Sequence, residues 1–147
     1  MVMTIEKAME YIRNKDISYT EIVRYLDFLN HYFEYEYGKE ESQKEAIRIV
    51  DELVRLSANE EDADIRCYLL DTLMEIAGYV SVSNKINLTP ILEDVSKFNL
   101  EDLSVIIDIL GDSGNESYRS LIESFKGIPE LDDDVNDALV ELDYRNR

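Results

Sequence analysis

Hydrophobic residues in this chain recur at intervals of three and four from one end to the other, and no alternating pattern lasts beyond a few residues. That period belongs to the α-helix. Only five Gly and two Pro interrupt it. The chain is therefore predicted to be all-α, with about eight helices joined by short connections that make neighbours antiparallel. Its 147 residues suit a single domain spanning 1–147, and no low-complexity linker divides them. Apolar residues make up 45% of the sequence, enough for a core that buries about two thirds of the unfolded surface.

Capping residues place the helices. Thr4 opens a first helix to about Asn14, with Ile5, Ala8, Met9 and Ile12 inward. Ser18 and Glu21 form a capping box for a long second helix carrying Ile22, Leu26, Leu29 and Phe33, with Gly38 as its stop. A third runs from Glu40 to Ser57 with Ala46, Val50, Leu53 and Val54 inward. Asp62 caps a fourth, ended by Gly78. Residues 79–88 read as a loop. Thr89 caps a fifth helix that runs to about Phe98, with Pro90 at its first position. Asn99 caps a sixth, ended by Gly111. Asn115 caps a seventh, ended by Gly127. Asp132 or Asp133 caps an eighth that runs from Asp134 to about Tyr144.

The helices repeat. Shifting the segment at Leu70 by 33 residues, and by 33 again, aligns Leu73 with Ile106 and Leu139, Ile76 with Ile109 and Leu142, and Glu75 with Asp108 and Glu141. Gly78 aligns with Gly111, and only Tyr144 breaks that column. The long second helix joins at an offset of 44, where Leu26, Asp27 and Leu29 fall on Leu70, Asp71 and Leu73. Two helices per 33 residues is the period of a solenoid. The segments Asp64-Ile65-Arg66 and Leu110-Gly111-Asp112 resemble the second-helix start and the closing turn of HEAT-like repeats. Asp134-Val135-Asn136 keeps the first two positions of that start and loses the Arg. The resemblance covers residues 40–147 well and 4–38 loosely, and it implies a short right-handed solenoid of about four antiparallel hairpins. Thr89-Pro90-Ile91-Leu92 is similar to one ankyrin unit, but the neighbouring units lack the Thr-Pro. Tetratricopeptide units should show Trp, and the chain has none.

Charge limits function. Thirty-three Asp and Glu against fifteen Lys and Arg give a net charge of −18. Such a surface repels phosphate, so nucleic acid and anionic membranes are excluded as partners and a basic protein is favoured. Residues 1–57 carry 8 basic and 12 acidic side chains, net −4; residues 58–147 carry 7 and 21, net −14. The acids are concentrated where the repeat is clearest. In a HEAT-type stack the second helices line one concave wall. Its polar stripe is then Tyr68, Asp71 and Glu75, next Glu101, Ser104 and Asp108, next Asp134, Asp137 and Glu141. Arg24, Asp27 and His31 are the equivalents in the long early helix. A solvated face explains some of these acids, but solubility needs far less than −18 and would mix the signs. Six of the ten tyrosines lie within residues 11–37, and they cannot all be buried on one helical face; exposed rings such as Tyr35 beside acids suit a protein interface.

The residues for catalysis are missing. No Gly-rich phosphate loop is present, and His31 is the only histidine, so no zinc triad forms. His31 reads as a surface residue and Cys67 as a buried, inert thiol. Asp132-Asp133-Asp134 resembles half a calcium loop without its Gly and closing Glu, and reads better as a helix start. No enzyme, cofactor or metal is expected. No basic leader and no membrane span are seen, which predicts a cytoplasmic protein. The expected function is that of an immunity or inhibitor protein that neutralises a basic toxin, a nuclease above all, with Asp27, Tyr35, Tyr68, Asp71, Glu75, Glu101, Asp108, Asp134, Asp137 and Glu141 as the binding residues. In type the chain is similar to the small acidic immunity proteins of contact-dependent growth inhibition systems. That similarity implies a cognate toxin domain as partner. The alternative is a HEAT-like adaptor or assembly factor.

Overall fold

The computed structural model describes residues 2–14, 16–35 and 40–147. Among these the chain is entirely helical, with eight α-helices: α1 (Ile5–Arg13), α2 (Tyr19–Tyr35), α3 (Glu40–Asn59), α4 (Ala63–Tyr79), α5 (Thr89–Leu92), α6 (Leu100–Asp112), α7 (Arg119–Glu123) and α8 (Asp132–Arg145). Single 3-10 turns occupy Ser83–Lys85, Val95–Lys97, Glu116–Tyr118 and Pro129–Leu131. No helix is long and apolar enough to cross a membrane among the described residues.

The starts follow from local side-chain chemistry. Thr4 Oγ1 accepts from the Lys7 amide at 3.2 Å, and Ser18 Oγ accepts from the Glu21 amide at 3.2 Å. Asp62 Oδ1 accepts from the amides of Asp64 and Ile65. Asn99 and Asp102 form a complete capping box at the start of α6. Each satisfies amides that the first helical turn leaves without partners.

Several ends differ from expectation. Helix α4 runs through Gly78, and its stop is Ser81, held at φ +57°. The Val82 amide bonds to the Ala77 carbonyl and the Ser81 amide to the Gly78 carbonyl, a Schellman closure with Val82 buried beneath it. Helix α6 passes through Gly111, and the left-handed residue is Gly114, at φ +68°. Helix α5 begins at Thr89 itself, which is therefore not its cap and whose amide donates to Asn87 Oδ1; the helix stops at Leu92 instead of Phe98, because Asp94 leaves helical geometry at φ −148° and ψ 77°. Asn115 caps a 3-10 turn, from which α7 continues for five residues. Helix α8 starts at Asp132 itself, so the three aspartates fill its first turn without capping it, where they complement the helix dipole. Gly38, expected to stop α2, lies outside the described residues.

Helices α2, α4, α6 and α8 form a continuous row in which each touches the next. Helix α1 packs on α2, α3 on α4 and α5, and α7 on α8 and α6. The core runs the length of this row: Met9, Leu26, Leu29, Phe33, Leu53, Leu70, Leu73, Ile76 and Ile107 are all under 2% exposed. Two contacts lock the row. Gly111 lets α6 approach α8 so closely that an added Cβ would lie 2.8 Å from Ala138 Cα. Arg66 of α4 donates from Nε to Asp102 Oδ2 of α6 at 2.7 Å and from Nη1 to the Glu60 carbonyl at 3.1 Å, with the Phe98 ring 5.8 Å from its guanidinium. Asp102 is fully buried, and its Oδ1 has no hydrogen-bond partner among the described residues.

Candidate functional site

The helical period puts the polar positions of α4, α6 and α8 on the sides of the row left uncovered by the core, and the helix contacts bring them together. On α4 and α6, Asp71 is half-buried, and its acidity is weakened first by burial and then by Glu75, Glu101 and Asp102. On α6 and α8, Asp108 sits in a cleft of about 280 Å³ lined by Met74, Asp112, Asp137, Ala138 and Glu141. Burial, followed by the charges of Asp134, Asp112 and Asp137, pushes Asp108 up to about 6. Burial and Glu141 also raise Asp112, while Arg145 opposes them. Arg145 donates to Glu141 at 2.7 Å. For Asp71 and Asp108, every charge that shifts them is another carboxylate.

At the α2 side the expected residues meet differently. The Tyr68 hydroxyl donates to Asp27 Oδ1, and the edge of its ring meets Tyr19 at 6.3 Å. The bond to Asp27, then burial, pushes the Tyr68 hydroxyl up to about 12. Asn30 Nδ2 donates to Glu75 Oε2, which ties the acid to α2. Glu75 is thus exposed and anchored, whereas Asp108 and Glu141 are partly covered. The repeat column of Glu75, Asp108 and Glu141 is thus graded in exposure, with α8 closing over Asp108. Tyr35, 71% exposed, packs on His31 of its own helix at 4.5 Å; burial, then Glu34 and Glu75, push the Tyr79 hydroxyl up, and Tyr35 adds least. It flanks the acids without joining them.

Among the other tyrosines, Tyr11 and Tyr25 stack at 4.7 Å between α1 and α2, and Tyr19 is 47% exposed. Tyr37 lies outside the described residues. Cys67 is half-buried, and burial together with Asp71, Asp102 and Glu101 pushes its thiol up to about 11, which suppresses the reactive thiolate. His31 is exposed on α2. Among the described residues no group of three His, Cys, Asp or Glu is arranged to hold a metal ion.

Asp112 belongs to the cleft and escapes the sequence reading, because Gly111 looks like a helix stop and puts Asp112 beyond it. The only local signal is the helical spacing of Asp108 and Asp112. No family model matches the chain, and no curated protein or solved structure matches it significantly, so its functional reading rests on the geometry and charge of this face.

Proposed function

We propose that this chain is an immunity-type inhibitor that binds and neutralises a basic protein, a toxin nuclease, through the acidic face of α4, α6 and α8. The observation that carries the reading is Asp108: a half-buried carboxylate in a cleft it shares with Asp112, Asp137 and Glu141, shifted only by other carboxylates, with the nearby Arg145 engaged by Glu141. Solubility alone is served by acids spread apart, whereas clustering them costs self-repulsion. A cationic partner removes that cost on binding, and the field of the face raises its association rate. A nuclease must be cationic where it grips phosphate, and rows of carboxylates on rigid helices offer that surface the same sign of charge as nucleic acid.

The same reading takes the row of α2, α4, α6 and α8 as the inner layer of a short right-handed HEAT-like solenoid of four hairpins, with α1, α3, α5 and α7 outside. It also takes the protein to act in the cytoplasm, where an intoxicating nuclease would meet its substrate. The contacts of each even-numbered helix with the next support the layer assignment.

The test uses the basic nuclease domain that this reading expects to be encoded beside the chain. The intact chain should suppress its activity at equimolar ratio. The triple variant Asp71→Asn, Asp108→Asn, Asp137→Asn should lose affinity by about 2–5 kcal/mol, the cost of removing charges from a desolvated electrostatic interface. A control with the same charge change, Glu10→Gln, Glu93→Gln, Glu123→Gln, should lose much less. Equal losses from both triples would show that only net charge matters and would refute the face.

A further inference from the structure

A second cavity, of about 540 Å³, lies away from the acidic cleft, where the α1–α2 and α3–α4 connections meet. That is within the range of small-molecule sites, about 300–1,000 Å³. Its walls carry an aliphatic patch, Ile17 from the first connection, Ile22 of α2, Leu56 of α3 and Ile65 of α4, beside Tyr19, Asn14 and Asn59. Ile17, Leu56 and Ile65 pack against the core yet stay only partly buried, so folding leaves apolar surface facing this space.

The rim is charged and asymmetric. Glu60, Glu61 and Asp62 line one edge, and Arg13 is the only basic lining residue among those described. Arg13 is already committed, because its guanidinium makes two bonds to Glu52, one of them Nη2 to Oε1 at 2.7 Å. Glu60 and Asp62 are held in place. Glu60 Oε2 accepts from the amides of Glu61 and Asp62, and Asp62 Oδ1 caps α4. The Glu61 carboxylate is exposed and has no hydrogen-bond or ion-pair partner among the described residues. The cavity thus joins an aliphatic interior to a fixed acidic lip with one uncommitted carboxylate. That lip repels anions and favours a cation over a neutral group.

We infer that this cavity is a binding site for a small amphipathic cation, an amine or guanidine on an apolar stem, with the stem against Ile17, Leu56 and Ile65 and the cationic end at Glu61. The site does not depend on the inhibitor reading, since none of the acids of the α4–α6–α8 face lines it.

The experiment is a titration of the full chain, labelled at Ile and Leu methyl groups, followed by NMR. The probes are hexylamine and phenethylamine, with hexanol and hexanoate as matched controls. Both amines should shift the Ile17, Leu56 and Ile65 methyls saturably, binding about three- to fivefold tighter than hexanol, the ratio that one exposed ion pair supplies. Glu61→Gln lies in an exposed loop, should leave the spectrum otherwise unchanged, and should remove most of that preference. A blocked Ala-Lys-Ala peptide tests the source of the cation and should bind more weakly than hexylamine. Equal binding of hexanol and the amines would overturn the assignment. So would amine shifts confined to the α4–α6–α8 face, or tighter binding of the peptide, which would transfer the cavity to a partner's lysine.

Discussion

Gly78 and Gly111 occupy the same column of the repeat and should respond oppositely to the same substitution. Around Gly78 there is open space and an ordinary helical backbone, so Gly78→Ala should stabilise by about 0.5–1 kcal/mol. At Gly111 the added Cβ meets the backbone of Ala138, so Gly111→Ala should cost about 1–3 kcal/mol by forcing α6 from α8. Ser81→Gly should gain about 1 kcal/mol, because it relieves a left-handed conformation that an L-residue resists. Thermal melts of the three variants decide these signs. Asp108 gives a pH test. Its folded pKa lies well above the ordinary 3.8, at about 6, so the folded state binds the proton more tightly than the unfolded chain does. The stability this contributes is complete below the unfolded value and lost as pH rises through about 6. Melting temperature should therefore rise on acidifying from about pH 7.5 to 5.5. Glu52, kept acidic by its bond to Arg13, stays ionised over that range. Asp108→Asn should flatten the rise and add about 1 kcal/mol at neutral pH, a figure discounted because the group is half exposed to solvent.

At the scale of elements, the joint between α4 and α6 is the most sensitive. Removing one member of a buried ion pair strands the other charge, so Asp102→Ala should cost about 3–5 kcal/mol, and Arg66→Met nearly as much. The double variant Arg66→Met, Asp102→Leu should cost well under the sum of the singles, because neither charge is then left alone; additive losses in a denaturant cycle would contradict the pairing. Helix starts were legible because a cap is local: Thr4, Asp62 and Asn99 each bond to amides two or three residues ahead. Helix ends were not. Val95 and Phe98 keep helical spacing after Leu92 although the chain turns at Asp94, and a 3-10 turn satisfies the same apolar pattern. The acids of the candidate face were readable from period alone, except Asp112. Tertiary roles were hidden in other acids. Asp51 and Glu52 look like plain surface charges on α3, but one accepts from the Asn87 amide and the other holds Arg13. The 540 Å³ cavity was equally hidden, because it is assembled from two connections and four helices that are remote in sequence.

For the whole molecule, salt separates recognition from bulk charge. Association with a basic partner should slow steeply between about 0.1 and 1 M salt, as the Debye length falls from about 10 to 3 Å, while dissociation changes little. An association rate flat across that range in stopped-flow measurements would leave the acids a solubilising role only. Far-UV circular dichroism should report a majority of helix that persists in chelator, since the fold is held by apolar contact and internal ion pairs. The uneven distribution of charge along the chain also has a directional effect. With −4 carried by residues 1–57 and −14 by residues 58–147, the molecule is an electrical lever with one heavy arm. On a positively charged resin it should land on α6 and α8 and hold α1 and α2 toward the buffer. Protease added to the adsorbed protein should then cut near α1 sooner than near α8, a preference that fades once the protein is eluted.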